Sequence, residues 1–277
     1  MAPPVQPSDI REYLDTVPDQ EQAVIGLFGS RDSLIFFDIG ACEAEDSIRY
    51  ARRFPRARIF AFEPLPSNQQ LIRANLQAHH TGSVELVPLA LSQKTGTATF
   101  HVSSGQPAEP TTDKQWNYGN KSSSLLAPAT GDPMYGWVEF KETITVPTTT
   151  LEEFCRERGI GRIDFIHMDV QGAELLVLEG AGPKLRDVTA LWLEVADVPQ
   201  YQEQPLRRQV GDFMRARGFR LAFELRHASE GDQFYVNIRH PRVWPWLLRQ
   251  RAGNFVQRAR FNLGRWKSLC TEPFRRS

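Results

Sequence analysis

The sequence has 277 residues, of which 41% are hydrophobic and 24% charged, and both fractions are ordinary for a globular protein. Lys and Arg (33) balance Asp and Glu (33), whereas a protein that binds nucleic acid over its whole surface carries a basic surplus. The three cysteines, Cys42, Cys155 and Cys270, lie far apart and predict neither a disulfide framework nor a metal site of CxxC type. We find no signal peptide and no membrane-spanning apolar run, and therefore expect a cytoplasmic protein without a nucleic-acid partner.

The zero net charge hides a basic C-terminal tail, residues 242–277. This tail has nine basic residues and one acidic residue, for a net charge of +8, and residues 1–241 carry −8. Apolar residues from Leu248 to Cys270 recur at spacings of three and four, which predicts an amphipathic helix. Such a helix can lie on an anionic membrane surface, or it can pack against the core of this chain or of a partner. We therefore expect a domain over 1–241 and a separate tail over 242–277, with peripheral membrane contact and a homo-oligomer as open alternatives.

The first half of the sequence alternates between predicted helices and buried strands. Short, continuously apolar runs such as Leu34–Ala41 are typical of strands that are covered on both faces of a parallel sheet. The order strand, helix, strand, helix, strand predicts a doubly wound α/β fold. In chain order we expect a helix over 8–30 with Ser8 or Asp9 as its N-cap, a strand over 34–41, a helix over 46–54, a strand over 58–64, a helix over 67–79 and a strand over 84–91.

An aperiodic segment, about residues 103–140, interrupts this pattern before the fourth long strand. It is rich in small polar residues, with aromatic residues spread through it. We interpret it as a lid-like insertion that covers a bound substrate. Within this insertion, the candidate substrate-binding residues are Lys121, Ser122, Ser123 and Ser124. The pattern then returns with a helix over 150–158, a strand over 163–170, a helix over 173–180, a strand over 189–195, a helix over 206–217 and a closing hairpin of strands over 219–225 and 233–239.

Acidic residues stand at the ends of four predicted strands. Asp38, Glu63, Asp169 and Glu194 lie where doubly wound sheets bind ligands, beyond the carboxyl ends of the strands. Of the GxGxxG pattern of a dinucleotide site only Gly40 is present, and Asp38 would repel a pyrophosphate. S-adenosylmethionine fits this edge better, because it combines positively charged groups with a ribose diol. Glu63 follows Gly40 by 23 residues, about the spacing at which an acidic residue binds ribose hydroxyls.

Six short motifs follow one another along the chain between about residues 35 and 238. They are DIGACEAEDS (38–47), AFEPLPSN (61–68), VPLALS (87–92), KSSSLL (121–126), IHMDVQGAE (166–174) and LWLEV (191–195). In this order the motifs resemble the FkbM-type S-adenosylmethionine-dependent methyltransferases. The resemblance implies a class I methyltransferase fold, which is Rossmann-like and has a mostly parallel seven-stranded sheet with an antiparallel last strand. It also implies O-methylation of a hydroxyl, often on a sugar.

The resemblance further implies which residues bind the cofactor. Asp38, Gly40, Ala41 and Cys42 would form the first cofactor loop, Glu63 with Pro64 would take the ribose, and Leu89 and Ala90 would lie near the adenine. Two departures from the family pattern affect this site. Cys42 and Ala44 stand where the family has Asn and a second Gly, and Ala44 would be strained at a positive φ. His167 stands where the family often has Lys, and an imidazole can exchange a proton near neutral pH.

Methyl transfer to an alcohol requires alignment of the acceptor oxygen and removal of its proton. We assign Asp169 to positioning of the cofactor or acceptor, and His167 or Glu194 to the role of base. A divalent cation held by Asp169, Glu194 and Asp197 is an alternative, although we favour a site without metal.

The sequence thus predicts an S-adenosylmethionine-dependent O-methyltransferase for a hydroxyl, with a sugar of a glycan or glycoconjugate as the favoured acceptor. One alternative acceptor is a polyketide, a lipid or another small molecule with a hydroxyl group. A second alternative is a protein without catalytic activity that uses the same fold to bind a membrane or another protein.

Overall fold

The computed structural model describes residues 7–29, 33–108, 117–130, 136–227 and 229–250. The chain divides into two compact units, residues 1–239 and 240–277. In the second unit residues 243–250 are helical, and Trp244 and Leu248 are exposed. The rest of the predicted amphipathic tail, residues 251–277, lies outside the described residues. Among the helices that are described, none is long and apolar enough to span a membrane.

In the first unit, helices and strands alternate over residues 19–87 and again over 151–226, as the sequence predicts, whereas the elements described over residues 90–149 are strands. A 3₁₀ helix over Gly182–Asp187 leads into the strand that begins at Val188. The helices are α1 (Arg11–Asp15), α2 (Asp19–Phe28), α3 (Glu45–Arg53), α4 (Pro66–Ala78), α5 (Leu151–Glu157), α6 (Glu174–Gly180) and α7 (Arg207–Ala216), and the strands are β1 (Ile35–Ile39), β2 (Arg58–Phe62), β3 (Val84–Val87), β4 (Ala90–Leu91), β5 (Gly96–Ser104), β6 (Glu139–Thr149), β7 (Ile163–Met168), β8 (Val188–Ala196), β9 (Phe219–Arg226) and β10 (Glu230–Asn237).

The main sheet has seven strands in the order β3-β2-β1-β7-β8-β10-β9. Strands β3 to β8 in this order pair in parallel, whereas β10 is antiparallel to both of its neighbours. The predicted α/β fold, a Rossmann-like and mostly parallel seven-stranded sheet with an antiparallel last strand, is therefore confirmed. Because β1 lies between β2 and β7, the loop that follows it reaches the carboxyl edge of the sheet between these two strands.

Apolar residues of β1 fill the core on both faces of the sheet. Phe36 packs edge-on against Tyr50 of α3 and Phe165 of β7, whereas its neighbour Phe37 packs against Phe60 of β2 and Phe154 of α5. Successive side chains of a strand point to opposite faces, so one continuously apolar run serves two helical layers. Each fully buried ring contributes about 1.5–3 kcal/mol of hydrophobic stabilisation.

Two predicted elements are divided in the structure, and proline explains both divisions. The helix expected over 8–30 breaks between α1 and α2, because a proline at 18 disfavours helical backbone in the residue before it. Its first turn begins after Ile10, which takes the N-cap position, and the side chain of Asp9 accepts a hydrogen bond from the N–H of Arg11 at 3.2 Å. The strand expected over 84–91 breaks at Pro88, and β4 joins a separate three-stranded sheet with β6 and β5. Strands β5 and β6 are antiparallel, and the predicted insertion connects them.

Candidate active site

A cleft opens at the carboxyl ends of β1, β2 and β7. Its walls combine apolar side chains with a few polar groups, as is typical of small-molecule sites. The polar groups come from three strand ends and from the insertion. The lining residues are Ile39, Gly40, Cys42, Phe62, Glu63, Pro64, Asn68, Leu89, Ala90, Leu91, Phe100, Asn120, Lys121, Ser123, Leu125, Asp169, Val170 and Gln171.

The loop after β1 is a tight, left-handed turn. Gly40 has a φ of +85°, and a Cβ at this position would lie 1.8 Å from the carbonyl oxygen of Asp169, so only glycine fits between the two strand ends. Cys42 and Ala44 also have positive φ values, of 49° and 62°. The left-handed conformation costs about 1–2 kcal/mol for each residue that carries a Cβ. The strain expected for Ala44 at positive φ is therefore present.

Glu63 ends β2 and is buried in the wall of this cleft. Its carboxylate accepts hydrogen bonds from the N–H groups of Cys42 (2.9 Å) and Leu65 (2.8 Å), which ties the first loop to the second strand end. Burial raises the pKa of Glu63 to about 7, although the backbone hydrogen bonds oppose this shift. Each carboxylate oxygen has a further lone pair, so the group can still accept hydrogen bonds from a diol. Leu89 and Ala90 lie nearby in the same wall.

His167 and Asp38 are not among the lining residues of this cleft; they form a pair between the ends of β1 and β7. His167 Nδ1 lies 3.3 Å from Asp38 Oδ1 and 3.9 Å from Asp46 Oδ2, while the hydroxyl of Ser47 donates to Asp38 Oδ2 at 2.6 Å. Burial lowers the pKa of His167, but Asp46 and Asp38 outweigh it and raise the value to about 9. His167 therefore carries its proton at neutral pH and provides a positive charge, as the Lys of the family would.

Gln171 joins Asp169 to Glu194. Its amide nitrogen donates to Asp169 Oδ1 (2.6 Å) and to Glu194 Oε2 (3.1 Å), and its carbonyl oxygen lies 3.0 Å from the hydroxyl of Tyr201. Gln171 itself has a left-handed backbone, with a φ of 53°. Backbone strain of this kind concentrates at functional sites, where the surrounding structure holds it in place.

A second, small and polar cavity shares Gln171 with the cofactor cleft. Burial, reinforced by the charges of Asp169 and Glu174, raises the pKa of Glu194 well above its ordinary value. Gln171 lines both cavities, so its side chain is part of the wall between them. The lining residues of the second cavity are Gln171, Glu174, Glu194, Val195, Ala196, Gln200, Tyr201, Gln204 and Glu230.

The three serines of the insertion make hydrogen bonds within the protein. Ser123 Oγ lies 3.0 Å from both the N–H and the hydroxyl of Ser103 in β5, and the hydroxyl of Ser124 donates to the carbonyl oxygen of Gln171 at 2.8 Å. The carbonyl oxygen of Ser122 accepts from Tyr201 at 2.7 Å. These residues therefore fix the insertion to the rim of both cavities, and Ser123 and Lys121 also line the cofactor cleft.

Glu43 binds the same insertion through hydrogen bonds to its carboxylate. Its carboxylate is fully buried and accepts hydrogen bonds from the hydroxyl and the N–H of Ser8, from Asn117 Nδ2 (2.9 Å) and from Asn120 Nδ2 (3.2 Å). Its own carbonyl oxygen accepts from Asn75 of α4. One carboxylate thus connects the N-terminal segment, the cofactor loop and the insertion.

The alternative of a metal site at Asp169, Glu194 and Asp197 receives no support. Asp197 points to Arg207, with two oxygen–nitrogen distances of 2.7 Å, and its pKa is lowered by this pairing. Within the described ranges, no group of three or more His, Cys, Asp or Glu side chains could hold a metal ion.

Several residues of the two cavities carry no prediction from the sequence. Gln171 and Asn68 lie within quoted motifs, but an amide gives no signal of its role until its partners are known. Tyr201 and Asn120 lie in irregular segments, where neither periodicity nor charge singles them out. Their positions follow from contacts between segments that are far apart in sequence.

A doubly wound sheet of this order, with a cleft at its carboxyl edge and an acidic group at the end of β2, defines a class I methyltransferase. The methyltransferase FkbM domain matches residues 38–221. The chain therefore belongs to the FkbM methyltransferase family, and the predicted S-adenosylmethionine-dependent methyltransferase is confirmed.

Two relatives found by sequence similarity agree with this assignment. The chain is 31% identical over 216 residues to the 2-O-methyltransferase NoeI of Sinorhizobium fredii, over 78% of this chain and 84% of that protein. It is 26% identical to the methyltransferase sdnD of Sordaria araneosa, over 66% of this chain and 72% of that protein. Among solved structures, the precorrin-6y C5,15-methyltransferase of Geobacter metallireducens superposes with a TM-score of 0.43 at 14% identity, over 80% of this chain and 89% of that one.

S-adenosylmethionine is the cofactor of this chain, and the cleft fits its chemistry. Glu63 offers a buried acceptor for ribose hydroxyls, and the apolar side chains of Leu89 and Phe100 offer a surface for the adenine ring. A carboxylate at Asp169, which also lines the cleft, would suit the positive groups of the cofactor. Burial raises the pKa of Asp169, and the hydrogen bond from Gln171 opposes that shift by stabilising the carboxylate.

Proposed function

We propose that this methyltransferase transfers a methyl group to a hydroxyl of a sugar in a glycan or glycoconjugate. The observation that carries the proposal is the bridge from Asp169 through Gln171 to Glu194, which connects the cofactor cleft with a polar second cavity. Carboxylates, amides and a phenol hydroxyl are groups that hydrogen-bond to neighbouring hydroxyls of a sugar ring. The similarity to a 2-O-methyltransferase supports transfer to oxygen.

The residues of the bridge have distinct proposed roles. Bound S-adenosylmethionine supplies a methyl group on a positively charged sulfur, which is ready for displacement in line. Asp169 positions the reacting groups, and Glu194 accepts the proton of the acceptor hydroxyl. The raised pKa of Glu194 makes its carboxylate a better proton acceptor. His167 is the weaker choice for this base, because it already carries a proton at neutral pH.

The remaining cofactor contacts follow the family pattern. Gly40 and Cys42 line the cleft after β1, Ala41 lies between them in the chain without being a lining residue, and Pro64 lines the cleft next to Glu63. Asp38 does not line the cleft and acts indirectly, because its carboxylate forms hydrogen bonds with Ser47 and His167. Lys121 and Ser123, which the insertion contributes, also line the cleft.

Transfer of a labelled methyl group from S-adenosylmethionine tests the proposal. The acceptor panel should contain glycans, lipid-linked sugars, and polyketide and lipid alcohols that carry no sugar. We expect labelling of sugar-containing acceptors, and a fall of about 10²–10⁴-fold in turnover for Glu194→Gln, the contribution typical of a general base.

Glu85→Gln is a matched control, because Glu85 lies on β3, half-exposed and paired with Arg58 and Arg158. Labelling confined to alcohols without a sugar would contradict the proposed acceptor. Full activity of Glu194→Gln would remove Glu194 as the base. Turnover that requires a metal, and stops with a strong chelator, would restore the metal alternative.

A further inference from the structure

Lys121 is the only cationic residue that lines the cofactor cleft in the part of the chain that the structure describes. Its Nζ lies 2.5 Å from Glu45 Oε1 at the start of α3 and 3.8 Å from Cys42 Sγ. Burial disfavours its charged form, but Cys42 and Glu45 outweigh burial and raise its pKa. The cleft wall therefore holds a permanent ammonium group beside the first cofactor loop.

The backbone around Lys121 is fixed on both sides. On one side, Asn120 Nδ2 donates to Asn68 Oδ1 at 3.1 Å and to Glu43 Oε1 at 3.2 Å. On the other side, Ser124 pairs with His101 of β5 through backbone hydrogen bonds of 2.8 and 3.1 Å. The ammonium is thus held at the cleft before any ligand arrives, which reduces the entropy lost on binding.

The charges of the cleft match those of the cofactor when Lys121 is included. S-adenosylmethionine carries a sulfonium, an ammonium and a carboxylate, and its product S-adenosylhomocysteine keeps the last two. Glu63 and Asp169 suit hydroxyls and positive groups, but neither suits a carboxylate. We propose that Lys121 binds the carboxylate of the cofactor's amino-acid end. A lysine ammonium has three donors, so it can bind Glu45 and this carboxylate together.

This assignment differs from the sequence-based expectation that Lys121 binds the acceptor. It concerns the cofactor alone and goes beyond the proposed acceptor chemistry. Its test therefore needs no methyl transfer, and it can fail or succeed independently of the sugar proposal.

Calorimetry with two ligands tests the assignment. The first ligand is S-adenosylhomocysteine, and the second is S-adenosyl-3-thiopropylamine, which is the same molecule without its carboxylate. We expect Lys121→Met to weaken binding of S-adenosylhomocysteine by about 10- to 100-fold, the effect typical of a hydrogen bond between charged groups. The same substitution should leave binding of the decarboxylated ligand nearly unchanged.

Two further variants control the result. Lys121→Arg keeps the charge and should retain most of the discrimination between the two ligands. Lys141→Met removes an exposed lysine of β6 that pairs with Glu139, outside the cleft, and should leave the binding of both ligands unchanged. Thermal melting of each variant confirms that it is folded.

Equal weakening of both ligands by Lys121→Met would overturn the proposal, since it would show a purely structural role in holding the insertion. Unchanged binding of both ligands, with a raised KM for the acceptor, would assign Lys121 to the acceptor instead. Wild-type protein that binds both ligands equally well would overturn the proposal without any variant.

Discussion

Replacement of His167 by Gln should change how the stability of this protein depends on pH. In the folded protein Asp46 and Asp38 raise the pKa of His167 to about 9, from an ordinary value of 6.5. The folded state therefore binds the proton more tightly than the unfolded state. The resulting stabilisation is fully present below about pH 6.5 and is lost as pH rises through 9. A difference of this size corresponds to at most about 3 kcal/mol.

Urea unfolding between about pH 6 and pH 9.5 measures the effect. The free energy of unfolding of wild-type protein should exceed that of His167→Gln by more at pH 6 than at pH 9.5, and the difference should shrink by up to about 3 kcal/mol. Groups that titrate identically in both proteins cancel from this comparison. An imidazole signal that titrates near pH 9 by NMR, and disappears in His167→Gln, would identify the group. A difference in stability that stays constant over this range would refute the linkage between His167 and the two aspartates.

Two further predictions concern the cofactor and the tail. Glu63→Ala should weaken binding of S-adenosylhomocysteine by about 1–3 kcal/mol, because it leaves buried donors without their acceptor. In the same calorimetric assay, NAD should bind neither the wild-type protein nor the variant. Unchanged affinity for S-adenosylhomocysteine would remove Glu63 from the site. Deletion of residues 242–277 should lower the melting temperature and promote aggregation if the apolar stripe packs against a protein surface. Salt-sensitive sedimentation of full-length protein with anionic vesicles, absent from the truncated protein, would instead support the membrane alternative.

The sequence was sufficient to predict the sheet and one edge of the cleft. Short apolar runs such as Leu34–Ala41 can be buried on both faces only in a parallel sheet with helices on each side. Once that order is known, the residues that end the strands must meet at one edge. Glu63 and Asp169 were therefore predictable as neighbours in one cleft, although nothing in the sequence indicated that Glu63 also binds the N–H of Cys42.

Contacts between distant segments were not predictable in the same way. Lys121 and Glu45 are 76 residues apart, and the pairing depends on the path of the insertion between β5 and β6. The bridge formed by Gln171 depends on a left-handed turn directly after β7, which the sequence does not signal because Gln has no preference for that conformation. For His167, the sequence indicates a group able to exchange a proton, whereas its nearest charged partners, Asp38 and Asp46, keep it protonated.

The buried carboxylate of Glu43 has a consequence for where the working unit of this enzyme begins. The family domain starts at residue 38, yet Glu43 receives two of its hydrogen bonds from Ser8, thirty residues before that boundary. A fragment trimmed to 38–221 would leave the buried carboxyl group of Glu43 under the cofactor loop with fewer hydrogen-bond donors, and burial of a polar group without its partners is costly. Local unfolding of the N-terminal segment around Ser8 would remove hydrogen bonds from Glu43, which lies in the loop after β1 and also binds the insertion. We therefore expect the loop after β1 and the insertion to loosen together. The segment around Ser8 therefore belongs to the enzyme as much as the family domain does, and we expect cleavage near Ser8 to weaken cofactor binding without any change in a cleft residue.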